Sequence, residues 1–117
     1  MTVFVVNNSD RRVRMNVVDL YYGDRLQLFK DNVLVPYRDE TTKLIRAKDE
    51  TTQGIDTATA DFFLEPNTTS GLRELRLSDW YGPLTPGVYR LINRCRFEVD
   101  GPWTRDSVPL IFEIVAK

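Results

Sequence analysis

The sequence has no histidine and a single cysteine, Cys95. Without an imidazole there is no Ser-His-Asp or Cys-His catalysis and no histidine-ligated metal. A lone thiol excludes an internal disulfide and a cysteine-based metal cluster. Long apolar runs are missing too. The longest are a few residues, as in Val3-Phe4-Val5-Val6, far short of the roughly 20 that a bilayer-spanning helix requires. Neither sign of charge dominates: 16 Lys+Arg stand against 17 Asp+Glu, net −1. No global field therefore favours nucleic acid or an anionic membrane surface.

What is present fits one soluble globular domain. The 117 residues are 42% hydrophobic and 28% charged, a balance typical of a packed fold and within one domain's length, so residues 1–117 are read as a single domain. Met1-Thr2 runs straight into Val3 with no basic leader, which suits an intracellular chain or a domain cut from a longer secreted or surface protein. The lone thiol leans intracellular. Two glycosylation sequons, Asn7-Asn8-Ser9 and Asn67-Thr68-Thr69, lean the other way but are read as chance matches. Localisation stays open.

Hydrophobic periodicity points to short strands punctuated by turns. Val3–Val6 is β-branched and aromatic and ends at the turn cluster Asn7-Asn8-Ser9-Asp10. Val13, Met15 and Val17 alternate with polar residues, as do Leu26 and Leu28, so each set lines one strand face. Lys30-Asp31-Asn32 offers a hairpin turn into Val33-Leu34-Val35, and Pro36 marks an edge strand. Asp39–Ala60 is polar, and some local structure is expected in it, with Lys43–Arg46 either an edge strand or a helical turn. Asp61–Glu65 reads as a strand stopped by Pro66. Leu72, Leu75 and Leu77 suggest a strand, with a short helix as the alternative. Val88–Val99 puts Tyr89, Leu91, Asn93, Cys95, Phe97 and Val99 on one face, with Arg90, Ile92, Arg94, Arg96 and Glu98 on the other. After a loop over Asp100–Ser107, Leu110, Phe112 and Ile114 form an antiparallel partner strand. The expected core is Val13, Met15, Val17, Leu26, Leu28, Leu75, Leu77, Tyr89, Leu91, Cys95, Phe97, Leu110, Phe112 and Ile114.

The segment Leu84-Thr85-Pro86-Gly87-Val88-Tyr89-Arg90-Leu91, with Ser78-Asp79-Trp80-Tyr81 before it, resembles the corner preceding the penultimate strand of immunoglobulin-like and fibronectin type III-like sandwiches. It looks most like bacterial immunoglobulin-like modules. The resemblance covers roughly Leu72–Val115. It implies an all-β antiparallel sandwich of about seven to eight strands, in which Leu84 anchors the turn, Pro86-Gly87 reverses the chain and the Tyr89 hydroxyl bonds back to main chain. It also implies an accessory rather than catalytic role. Leu91 stands where antibody-type domains have their second disulfide cysteine, and no Trp lies in Arg25–Lys30, so antigen-style recognition is not implied.

The candidate chemical groups are few. Cys95 sits in the apolar register between Leu91 and Phe97 and reads as a small core residue rather than a nucleophile. Asp100 with Asp106, or Asp39 with Glu40, are the carboxylate pairs available for acid–base work, yet each is also an ordinary turn or strand lead-in. No calcium-loop pattern or other metal motif occurs, and no cofactor is implied. Arg90, Arg94 and Arg96 form a basic stripe, read as a solvated strand face pairing with Glu98 or Glu113 rather than a polyanion contact. Trp103 is either a plug over the sandwich end or an anchor for a partner. The expected function is a non-enzymatic accessory or protein-interaction module, engaging a protein partner or neighbouring domain through Trp103 and Arg105. The alternative is a carbohydrate-binding module stacking sugars on Trp80, Tyr81 or Trp103, and a small carboxylate-dependent hydrolase ranks below both.

Overall fold

A computed structural model of the protein describes residues 2–15, 20–50, 62–97 and 100–116. The elements in chain order are β1 (Thr2–Val6), β2 (Val13–Met15), a single helical turn α1 (Leu20–Gly23), β3 (Asp24–Lys30), β4 (Val33–Leu34), α2 (Asp39–Glu50), β5 (Phe62–Leu64), β6 (Thr69–Glu74), a 3-10 turn at Leu77–Asp79, β7 (Gly87–Cys95) and β8 (Leu110–Ile114). Every strand pairing is antiparallel. Among the described residues there is a four-stranded sheet of order β4-β3-β7-β8 and two ribbons, β1-β6 and β2-β5. The fold is thus mainly β.

Local chemistry accounts for the four-stranded sheet. Asp31 and Asn32 both adopt positive φ, 50° and 64°. That is the left-handed pair a two-residue hairpin needs, and short polar side chains tolerate it best after glycine. The turn fixes Lys30 opposite Val33. β3 then runs against β7 with Leu26 opposite Asn93 and Leu28 opposite Leu91. Leu26, Leu28, Leu91, Tyr89 and Cys95 all face the core and are buried. Gly87 opens β7 at φ 152°, a conformation that L side chains rarely adopt.

The ribbon β1-β6 carries an irregularity with consequences. Val3 pairs with Arg73 and Phe4 with Gly71, so Leu72 is an extra residue in β6. Uninterrupted pairing would set Arg73 opposite Thr2 on the exposed side. The bulge reverses the alternation beyond it, so Arg73 shares the inner face with Val3, and Leu75 follows it into the core.

The polar stretch at Asp39 resolves into a helix over Asp39–Glu50. Asp39 and Glu40 lie in its first turn and Lys48 in its last, both favourable to the helix dipole. Thr41 and Ile45, one turn apart, form its buried face. The Thr41 hydroxyl donates to the Asp79 carbonyl at 2.5 Å, which also accepts from Tyr21 Oη at 2.7 Å and Arg38 Nε at 3.2 Å. Those bonds fasten α1 and α2 to the 3-10 turn. They hold Trp80 with no exposure between Tyr21 and Tyr37, at ring separations of 5.1 and 5.6 Å.

Several expectations need correction. The strand expected over Val88–Val99 is Gly87–Cys95, and Phe97 lies beyond its end. Leu75 and Leu77 follow β6 rather than belonging to it, and Leu77 opens the 3-10 turn. Val13 and Leu110 are exposed instead of core, because among the described residues β2 pairs with short β5 alone and β8 is a sheet edge. The core instead gains Trp80, Tyr81 and Ile45, with Tyr22, Leu64 and Ile92 also buried. Phe112 and Ile114 are half-buried against it. Val17, Glu98, Val99 and the stretch 51–61 lie outside the described residues.

The corner at Tyr89 is formed as expected. The ring is 2% exposed, stacks on Phe112 at 5.4 Å, and its hydroxyl donates to the Thr85 carbonyl at 2.6 Å. Leu84 packs against the core while Pro86 stays at the surface. Tyr89→Phe leaves that carbonyl without its donor at almost unchanged volume, and is expected to cost about 1–2 kcal/mol. Urea unfolding of the two proteins measures it, and coincident curves would dismiss the bond as a stabilising element.

Candidate functional site

Two features of the four-stranded sheet carry unusual chemistry, one on each face. On the inner face, a cleft of about 490 Å³ opens between β1 and the segment 104–108 that follows β7. Val3, Val5, Leu26, Leu91 and Phe97 contribute its apolar lining, and Arg105 and Asp106 its polar edge. A volume of this size walled by aliphatic groups with a few polar ones is the usual form of a ligand pocket.

The cleft exists because of how the chain leaves the sheet. β8 pairs with β7 only from Gly87 to Leu91, so the edge of β7 from Ile92 onward would be bare. The 104–107 segment covers it irregularly. Thr104 and Ser107 donate their N–H groups to the carbonyls of Cys95 and Asn93, at 2.8 and 2.7 Å. In return, the N–H groups of Cys95 and Asn93 donate to the hydroxyls of Thr104 and Ser107, at 3.0 and 2.9 Å. Hydroxyls stand in for strand carbonyls, which satisfies the edge without extending the sheet.

Behind the cleft lies a buried polar cluster. Asp24, 1% exposed, meets Arg73 Nε of the bulged strand at 3.0 Å. Its other oxygen accepts from Asn93 Nδ2 and from the Cys95 thiol, both at 3.2 Å. Loss of water pushes the Asp24 carboxyl above its usual value, opposed by the Arg73 charge and by the hydrogen bonds from Cys95 and Asn93. The same burial, with the Asp24 carboxylate adding to it, pushes the Cys95 thiol up to about 12. At neutral pH the Cys95 thiol is therefore protonated and donates to Asp24. Its surroundings also differ from the apolar slot expected, since Asp24 and Asn93 both touch its sulfur.

The outer face carries cations. Arg25 and Arg94 are directly opposed across β3 and β7, and Arg96 follows just beyond. The Trp103 ring lies over all three guanidinium carbons, at 5.0, 5.1 and 4.2 Å. Arg96 is also 3.4 Å from the centre of Tyr22 and donates to the Tyr22 carbonyl at 2.7 Å. Asp49 of α2 pairs with Arg96 at 2.9 Å and Arg25 at 3.2 Å. Arg90 lies over Phe29 at 4.6 Å.

Trp103 therefore neither plugs the core nor projects freely; it is half-buried on a bed of guanidiniums. The basic stripe is no simple solvated face, and its carboxylate partner is Asp49 in place of Glu113; Glu98 is outside the described residues. Trp80 and Tyr81 are enclosed in the core, so neither offers a stacking platform. Arg105 and Asp106 edge the cleft, while Asp100 does not line it and Asp39 and Glu40 sit in the first turn of α2. Neither expected carboxylate pair is assembled into a site there. Among the described residues no group of three potential metal ligands occurs, and no helix is long and apolar enough to cross a membrane. Asn7 is buried, with its amide nitrogen donating to the carbonyls of Arg11, Leu64 and Glu65, whereas Asn67 is an exposed turn residue.

Sequence reasoning missed Asp24, Arg25, Asp49 and Arg73. Only the charged-for-apolar break at Asp24, just before the alternating Leu26 and Leu28, signalled a buried acid. No protein-family model, curated protein or solved structure compared with the chain matches it.

The polar cluster yields two expectations. A native pKa raised above the ordinary 3.8 means the folded protein holds that proton more tightly than the unfolded chain. The Asp24 contribution to stability is then greatest below pH 3.8 and is lost as pH rises through the native pKa. The difference in unfolding free energy between wild type and Asp24→Asn should accordingly shift against wild type as pH rises from strongly acidic toward neutral; a flat difference refutes the shift. Cys95 in native protein should resist alkylation by iodoacetamide at pH 8 until denaturant is added. Labelling at the rate of a free thiol would contradict its protonated, enclosed state.

Proposed function

We propose that this chain is a non-enzymatic protein-interaction module, an immunoglobulin-like sandwich that holds an apolar segment of a partner protein in the cleft beside β1. The observation that carries the reading is the cleft itself: aliphatic walls from two sheets, edged by Arg105 and Asp106. Apolar side chains entering such a cleft gain roughly 25 cal/mol for each Å² removed from water, while the polar edge sets orientation.

The sandwich interpretation draws on two features. The order β4-β3-β7-β8 parallels the C′-C-F-G sheet of immunoglobulin-like domains, and the Tyr89 corner stands at the start of the strand equivalent to F. The non-enzymatic reading draws on the state of the candidate groups: the thiol is held protonated and Asp24 is committed to Arg73, Asn93 and Cys95. Carbohydrate binding loses two of its three aromatic candidates to the core.

Selection of a displayed peptide library on the immobilised protein tests the proposal. Extended apolar peptides should be enriched, and Val5→Trp, which fills the cleft, should weaken the best of them about tenfold or more, the scale of one good anchor residue. Val33→Ser, exposed on the edge strand β4 and outside the cleft lining, should leave the affinity within about twofold. Enrichment of no peptide, or binding indifferent to Val5→Trp, overturns the proposal. Retention on a glycan array that Trp103→Ala abolishes would assign the function to carbohydrate instead.

A further inference from the structure

Among the described residues, the cations on the outer face are not balanced. Arg25, Arg94 and Arg96 bring three positive charges under one indole ring, and among the described residues Asp49 is the one carboxylate paired with them. Among the described residues, two charges remain in excess. Like charges set directly opposite across a strand pair, as Arg25 and Arg94 are, destabilise a sheet. Contact with an aromatic face offsets part of that cost but supplies no acceptor.

The donors show the same deficit. Arg94 Nε and Arg25 Nε are buried without a hydrogen-bond partner among the described residues. Arg25 uses its terminal nitrogens on Asp49 and the Tyr21 carbonyl, and Arg96 uses Nη2 on Asp49 and Nε on the Tyr22 carbonyl. Arg94 has no ion-pair partner among the described residues, although the ring of Trp103 holds it in place. A pre-positioned guanidinium with an unpartnered Nε among the described residues, beside two others already fixed, has the chemistry of an oxyanion receptor.

We propose that the Arg25–Arg94–Arg96 cluster beneath Trp103 binds a dianionic phosphoryl group. The excess of two charges matches a phosphate monoester dianion, and its non-coplanar oxygens can accept from guanidiniums that do not share a plane. This site lies on the face opposite the apolar cleft and does not depend on that cleft having a ligand.

Titration of the full chain with inorganic phosphate at constant ionic strength tests it. Trp103 is the half-buried one of the two tryptophans and Trp80 is enclosed, so a saturable fluorescence change should vanish in Trp103→Phe. Phosphate should also raise the melting temperature, where chloride of equal ionic strength does not. Arg94→Gln should weaken phosphate binding about tenfold or more, the cost of one charge-assisted contact. It should also melt at or above the wild-type temperature in phosphate-free buffer, since it removes a repulsion. Arg90→Gln, stacked on Phe29 outside the cluster, should bind within about twofold of wild type. Phenyl phosphate binding more tightly than inorganic phosphate would identify an ester with a planar ring as the preferred form, and equal affinity would identify the phosphoryl group alone. The proposal falls if phosphate gives no saturable response, if Arg94→Gln binds as wild type does, or if Arg94→Gln lowers stability without phosphate, which would make the arginine a structural strut.

Discussion

The buried ion pair between Asp24 and Arg73 organises the molecule. It joins the first residue of β3 to the inner face of β6, so it couples the four-stranded sheet to the β1-β6 ribbon. Removing one partner of such a pair typically costs about 3–5 kcal/mol, because the other charge is stranded away from water. That asymmetry makes the pair a device for registration more than for net stability. A one-residue slip of β6 would put Arg73 outside and leave Asp24 uncompensated. The bulge at Leu72 is thus a requirement of the fold, since only the inserted residue turns both Arg73 and Leu75 inward.

The same economy governs the segment after β7. Its Thr104 and Ser107 hydroxyls complete the hydrogen bonding of the β7 edge. Because the cover is irregular, residues on it point in directions that a regular strand would forbid. Trp103 reaches the guanidiniums on one face, while Arg105 and Asp106 reach the cleft on the other. One loop therefore shapes both candidate sites, and its anchoring to the backbone of Asn93 and Cys95 keeps either from depending on loop order created at binding.

Much of the sheet was legible because period-two alternation and turn chemistry are local. The Leu26–Leu28 face, the Asp31-Asn32 hairpin, the edge position signalled by Pro36 and the Tyr89 corner all follow from a few neighbouring residues. What escaped was set by distant partners. Helix α2 presents only Thr41 and Ile45 to the core, too narrow an apolar stripe to register against its polar composition. Trp80 and Tyr81 sit in an irregular stretch with no period, so their burial rests on Tyr21 and Tyr37 from elsewhere in the chain. The Arg94–Arg96 stripe looked solvated because its aromatic cover, Trp103 and Tyr22, comes from other segments.

The contrast between the two faces bears on what kind of protein this is. A catalytic group must exchange a proton or an electron pair near the working pH, which calls for a pKa brought toward neutrality and an open approach. The inner cluster does the reverse. It drives the thiol to about 12 and encloses the carboxylate against a guanidinium, so its groups are spent on architecture. The outer cluster holds guanidiniums, which serve as fixed charge. Fixed charge on one face and an apolar cleft on the other suit the two binding roles proposed for them. On that contrast rests our proposal that the chain binds its partners and does not transform them.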